Sequence, residues 1–192
     1  MPIERRRFLR AVAFIGAISA YATIILGGTV RGMGAGLACP DWPLCHGSVV
    51  PELGDPSIAV EYAHRLAAAL TSFFLLLTLA VVLRWFRPDL RLVLLSVLSF
   101  AILATQVGFG ALTITSSLDW VVVTIHLALG TATFAFALMV ALVSLRPPGI
   151  TRRRDPHATA HSFDEEVHKT DADKADDGPE EPSSSAITGG DR

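Results

Sequence analysis

Four apolar stretches, roughly residues 8–30, 59–85, 92–114 and 119–145, are each long enough to cross a hydrocarbon layer as a helix, which takes about 20 residues for a thickness of about 30 Å. No other feature constrains the chain as strongly. Backbone polar groups inside a membrane must find their partners within the segment, and a helix achieves that alone. The composition agrees, since 51% of the 192 residues are hydrophobic and the charged ones are gathered in a few places rather than spread along the chain. The pattern excludes an ordinary soluble core and predicts an all-α integral membrane protein, an antiparallel four-helix transmembrane bundle.

The arginines predict its orientation, because cytoplasmic loops retain positive charge. Arg5, Arg6, Arg7 and Arg10 stand at the start of the first span, Arg84, Arg87 and Arg91 surround the loop after the second, and Arg146, Arg152, Arg153 and Arg154 follow the fourth. The opposite side has only Arg31 and Arg65, beside Asp41, Glu52, Asp55, Glu61 and Asp119. A multi-pass protein of the cell membrane is therefore expected, with residues 1–7 and the C-terminus cytoplasmic and the loop of residues 31–58 outside. The opening "ERRRFLRAVAFIGAISAYA" also reads as an export signal. The apolar run continues through "TIILGGTV", however, which favours one full-length span.

Residues 147–192 are different material, rich in Pro, Ser, Gly and acidic residues, and are expected to form a disordered acidic cytoplasmic tail. His157, His161 and His168 lie in it, at spacings that match no familiar metal-ligand set. No nucleic-acid partner is expected.

The segment "GLACPDWPLCHG", residues 36–47, holds the only two cysteines, Cys39 and Cys45, on the expected external side, where disulfides persist. Pro40 and Pro43 restrict the open loop and favour closing a small ring. Three readings stay open: a structural staple, a redox-active pair that exchanges electrons, or two thiolates binding a metal with His46. His46 otherwise reads as a solvated loop residue.

Ionisable residues inside spans usually line an interior site. His64 in the second span and His126 in the fourth both fall about 8–11 Å below the outer helix ends at about 1.5 Å per residue. Singly, each reads as a side chain bonded to a neighbouring helix. Together, at matched depth and amid the small residues of "HRLAAAL" and "HLALGTAT", they suit the two axial positions of a haem iron. Glu61, three residues before His64, either orients the imidazole, acts on a bound molecule, or complements the helix dipole. Arg31 and Arg65 suit anionic haem propionates, or else snorkel to headgroups. Gln106 joins helices or faces the cavity, and Gly27 and Gly28 permit close approach.

In that order, "GGTVRGMGAGLACPDWPLCHG", "EYAHRL", "TQVGFGALTI" and "IHLALGT" resemble the haem A synthase family over about residues 11–145. The resemblance implies oxidation of a ring methyl of haem O to the formyl of haem A for terminal oxidases. It implies His64 and His126 as axial ligands, Glu61 as the catalytic carboxylate, and a Cys39–Cys45 disulfide, which makes the external segment a disulfide loop. Typical members have eight spans in two similar halves, one for substrate haem and one for a haem b cofactor. This chain corresponds to one half, the substrate-binding one by its Glu61 and cysteines, and self-association is expected to supply the other. A haem O synthase and an electron donor are the further partners implied. Two other functions remain open: a b-type haem protein that carries electrons or haem, and a four-span thiol–disulfide oxidoreductase.

Overall fold

A computed structural model describes residues 2–146; the acidic tail and its three histidines lie outside the described residues. The chain forms four helices, α1 (Pro2–Gly32), α2 (Pro56–Trp85), α3 (Leu90–Thr115) and α4 (Trp120–Ser144). All four are long and apolar enough to cross a membrane, and the chain is a multi-pass membrane protein.

The helix starts follow from local chemistry. Asp55, Asp89 and Asp119 each stand one residue before a helix, and their side chains accept from the otherwise unpaired N–H groups of Ser57, of Leu92, and of Val121 and Val122. Pro56, which has no N–H to lose, occupies the first turn of α2. Only four residues, 86–89 and 116–119, separate α2 from α3 and α3 from α4, so these neighbours run antiparallel. α1 packs on α2 and α4, and α3 packs on α4 and α2, which closes a ring of four.

The two ends differ. At the arginine end, the α1 side chains cap the last carbonyls of α4: Arg10 Nε donates to Ser144 O at 3.1 Å and Arg6 Nη1 to Arg146 O at 3.0 Å. Positive charge at a helix C-terminus also complements its dipole. Behind this cap lies a buried core of Leu9, Ala13, Val81, Val82, Leu92, Val140 and Ala141, followed by Ala17, Leu75, Leu103 and Ala137. Large apolar side chains such as Ile18, Phe73 and Leu94 point outward, as a lipid solvent allows. Helix association here rests on small residues and buried hydroxyls: Ser19 and Thr23 of α1 meet the Thr71 hydroxyl of α2 at 2.9 and 3.1 Å.

At the loop end, Cys39 and Cys45 are joined in a disulfide and are both buried. So small a ring stabilises by about 2 kcal/mol through the unfolded chain. Asp41 braces it from within, its Oδ2 accepting from Gly47 N at 2.8 Å and its Oδ1 from His46 N at 2.7 Å. The Gly47 N–H above all, with that of His46, holds the Asp41 carboxyl below its usual range. A lowered carboxyl value means that this brace is complete above the ordinary carboxylate range and is lost only as pH falls through the lowered value.

Candidate functional site

Between the loop end and the packed core the four helices separate around a cavity of about 510 Å3, within the range of cofactor sites. His64 from α2 and His126 from α4 both line it, each half-buried. They are held in the same way. His64 Nδ1 lies 3.1 Å from the carbonyl oxygen of Thr23 on α1, and His126 Nδ1 lies 3.1 Å from that of Gln106 on α3. A carbonyl oxygen only accepts, so Nδ1 carries the proton in both rings, and Nε2 of the neutral imidazole keeps a free lone pair. That tautomer is the one a metal requires, with the second nitrogen oriented by a hydrogen bond.

Close packing completes each mount. A Cβ added to Gly27 would lie 3.0 Å from His64 Cε1, and one added to Gly110 would lie 3.2 Å from His126 Cε1. The two hairpins thus repeat one device: a carbonyl at position i and a glycine at i+4 on the first helix receive the histidine of the second. Seven residues beyond each histidine stands a buried threonine, Thr71 and Thr133. The Thr133 hydroxyl lies 3.0 Å from Gln106 Oε1, so the Gln106 side chain ties α3 to α4 while its carbonyl aims His126.

Gly110→Ala is expected to displace the imidazole from the Gln106 carbonyl and, if the cavity takes haem, to weaken its binding roughly tenfold, the scale for loss of an orienting contact. Gly108, with open space around its Cα, is the control, and titration of each purified variant with haem checks the difference.

Glu61 is 4% exposed and belongs to the cavity wall, where it is the only acidic side chain among the described residues. It does not orient His64. Its Oε1 accepts from Arg65 Nη2 at 2.7 Å and its Oε2 from Cys39 N at 3.1 Å. The physical reason is direction: three residues before His64, Glu61 faces the loop, where a guanidinium and a free N–H are stronger partners than an imidazole already bonded to Thr23.

Arg65 plugs the disulfide ring. Nη1 donates to Asp41 O at 2.7 Å and Leu44 O at 2.6 Å, while Nη2 donates to Cys39 O at 2.7 Å as well as to Glu61. Four of its five N–H bonds are therefore engaged, which leaves Nε for any other acceptor. The Arg31 side chain also lines the cavity and makes no hydrogen bond or ion pair to another described residue, so its whole guanidinium is available. Trp42 and Pro43 of the ring, with Gly36 and Leu118, line the cavity at its loop end. His46 instead folds onto the loop, Nε2 lying 2.9 Å from Ala38 O. With both sulfurs in the disulfide, the loop offers no thiolate pair to a metal.

The sequence singled out the histidines, Glu61 and the cysteines, but not Thr23, Thr71, Thr133 or Leu118. The available signal was the repeated spacing: four residues from Thr23 to Gly27 and from Gln106 to Gly110, seven from His64 to Thr71 and from His126 to Thr133.

Comparison with known proteins gives a coherent result. The COX15-CtaA family model, described as cytochrome oxidase assembly protein, matches residues 10–163. A Symbiobacterium thermophilum protein named "Heme A synthase" is 38% identical over 102 residues, covering 50% of this chain and 31% of that one. A Bacillus pumilus protein of the same name is 33% identical over 142 residues, covering 70% and 44%. A Natronomonas pharaonis protein named "Protoheme IX farnesyltransferase 1" is 33% identical over 139 residues, covering 70% of this chain and 28% of its own. The chain thus spans less than half the length of these relatives.

Proposed function

Because the chain belongs to the COX15-CtaA family of cytochrome oxidase assembly proteins, we propose that it is a haem A synthase-like membrane oxidoreductase, converting haem O to haem A by oxidising a ring methyl group to formyl. The observation that carries this reading is the pair of imidazoles, each with Nδ1 on a backbone carbonyl and Nε2 free, lining one cavity with a single carboxylate. The donor set fits haem: two neutral nitrogen ligands on different helices, and glycines that clear the space beside each ring.

In this reading, His64 and His126 would hold the haem iron, and Arg31 would hold a propionate. Bound haem would supply the redox-active iron and the methyl carbon to be oxidised, with haem b as the further cofactor; taking methyl to formyl removes four electrons and adds one oxygen atom, which calls for dioxygen as external oxidant, reduced to water with electrons from the electron-transfer partner. Glu61 accepts a proton released at that carbon, its carboxylate steadied by Arg65 and the Cys39 N–H. Gln106 positions His126, and the disulfide loop limits water at the loop end of the cavity. The arginine end faces the cytoplasm and the loop end faces outward, following the charge asymmetry.

A protein that farnesylates haem is the natural source of substrate. The Natronomonas relative named as a protohaem farnesyltransferase supports this, since 28% of its length resembles the present chain. Self-association and an electron-transfer partner complete the proposed assembly.

The test is to express the full chain in a host that makes haem O but no haem A, then to extract and identify the haems by chromatography and mass. Haem A is the expected product. Bound haem without haem A would leave a b-type haem carrier instead, and a colourless protein with essential cysteines would leave a thiol–disulfide oxidoreductase.

A further inference from the structure

The helices α1 and α3 both end at the loop end of the cavity, and in the same capping motif. At α1, Gly34 N–H bonds to Arg31 O at 3.2 Å and Ala35 N–H to Val30 O at 2.9 Å; at α3, Ser117 N–H bonds to Ile114 O at 3.1 Å and Leu118 N–H to Thr113 O at 2.8 Å. This motif requires one left-handed residue, the first of each pair. Gly34 meets the requirement at α1 with φ +67°, and Ala35 is not left-handed; at α3 Ser117 meets it with φ +51°, yet Leu118 is left-handed as well, at φ +64°. The cap does not ask for that second residue, and a branched side chain resists the conformation. Strain of this kind persists where the surroundings over-determine it.

What Leu118 gains is a contact between the two loops. Its side chain lies over Gly36 of the α1–α2 loop so closely that a Cβ there would stand 3.1 Å from Leu118 Cδ2 and 3.3 Å from Cδ1. Both residues line the cavity. The loop that presents Gly36 runs on into the ring closed by the disulfide and held by Arg65. One side of the contact is therefore the lead-in to a braced ring, and the other is a four-residue turn carrying a strained leucine.

We propose that the cavity opens between these two loops and that Leu118 is the latch of that mouth: held left-handed against Gly36, it bridges the loops and sets the rate at which the cavity's occupant enters and leaves. The inference rests on the reading that the cavity takes haem. Relaxation of the Ser117–Leu118 turn swings the side chain off Gly36 and opens the mouth without moving either histidine. The gate thus acts on exchange and leaves iron ligation alone.

The test uses the full chain in lipid nanodiscs, loaded with haemin, and follows haemin transfer to excess apomyoglobin. Leu118→Ala is expected to speed transfer roughly tenfold, the scale of removing one leucine contact, with the absorption bands of the loaded protein unchanged. Gly36→Ala, on the opposite loop, is expected to do the same by displacing Leu118, and to add nothing in the Leu118→Ala background. If Leu118 served only to cap α3, Gly36→Ala would be silent, and that result overturns the latch. Amide hydrogen exchange of residues 36–38 in unloaded protein gives a second readout, expected to quicken in Leu118→Ala; unchanged exchange there, with unchanged haemin transfer, also overturns it. A wild-type protein that takes up no haemin defeats the haem reading, and the amide exchange then decides the latch by itself.

Discussion

Glu61→Gln is expected to keep haem bound and to reduce haem A formation by about a hundredfold or more, the scale for removing a group that handles a proton. The substitution preserves side-chain length and leaves one oxygen for Arg65, which donates to Glu61 Oε1 at 2.7 Å. The new amide NH2 cannot accept the Cys39 N–H, so the loop loses one of its ties and keeps the disulfide and the three carbonyl bonds to Arg65. Haem content should not fall, because neither imidazole mount includes Glu61. Haem extraction from the variant measures both quantities at once. Normal haem A formation would remove Glu61 from its proposed role, and loss of haem together with haem A would make it a structural tie of the loop.

His64→Ala and His126→Ala are each expected to abolish the two-imidazole absorption spectrum and to weaken haem retention by roughly ten- to a hundredfold, as for loss of an iron ligand held by an outer partner. The mounts are equivalent, with Nδ1 of each ring 3.1 Å from a carbonyl, so the two losses should be similar in size. Each truncation also leaves a pocket of imidazole shape beside Gly27 or Gly110. Free imidazole added to the alanine variants is therefore expected to restore the spectrum, which a merely misfolded protein would not show. Retention of the wild-type spectrum in both variants would dismiss these residues as ligands.

The same symmetry explains why part of the site was visible in the sequence and part was not. A histidine in an apolar run announces itself because charge and polarity are rare there. Its depth follows from counting residues at a constant rise. The receiving groups are different in kind: a backbone carbonyl at Thr23 or Gln106 has no residue-type signature, since every residue carries one. Arg65 shows the complementary case: by type and position it suits propionates or lipid headgroups, and in the structure it holds three loop carbonyls and Glu61. Carbonyls of a loop do not register in a reading by side chain.

By itself the sequence determined four membrane-crossing helices, the arginine-rich end, a common level for His64 and His126, and a cysteine pair in one short segment. All of these depend on local pattern or on distance along a helix axis. Only the tertiary structure decided how each helix is turned about that axis, and hence that His64 meets α1, that His126 meets α3, that Glu61 turns to the loop, and that Leu118 reaches Gly36. In lipid both the core face and the outer face of a helix are apolar, so hydrophobicity carries little rotational information. Small residues, hydroxyl pairs and the closed loop select the rotation instead, and their effect exists only once the helices touch.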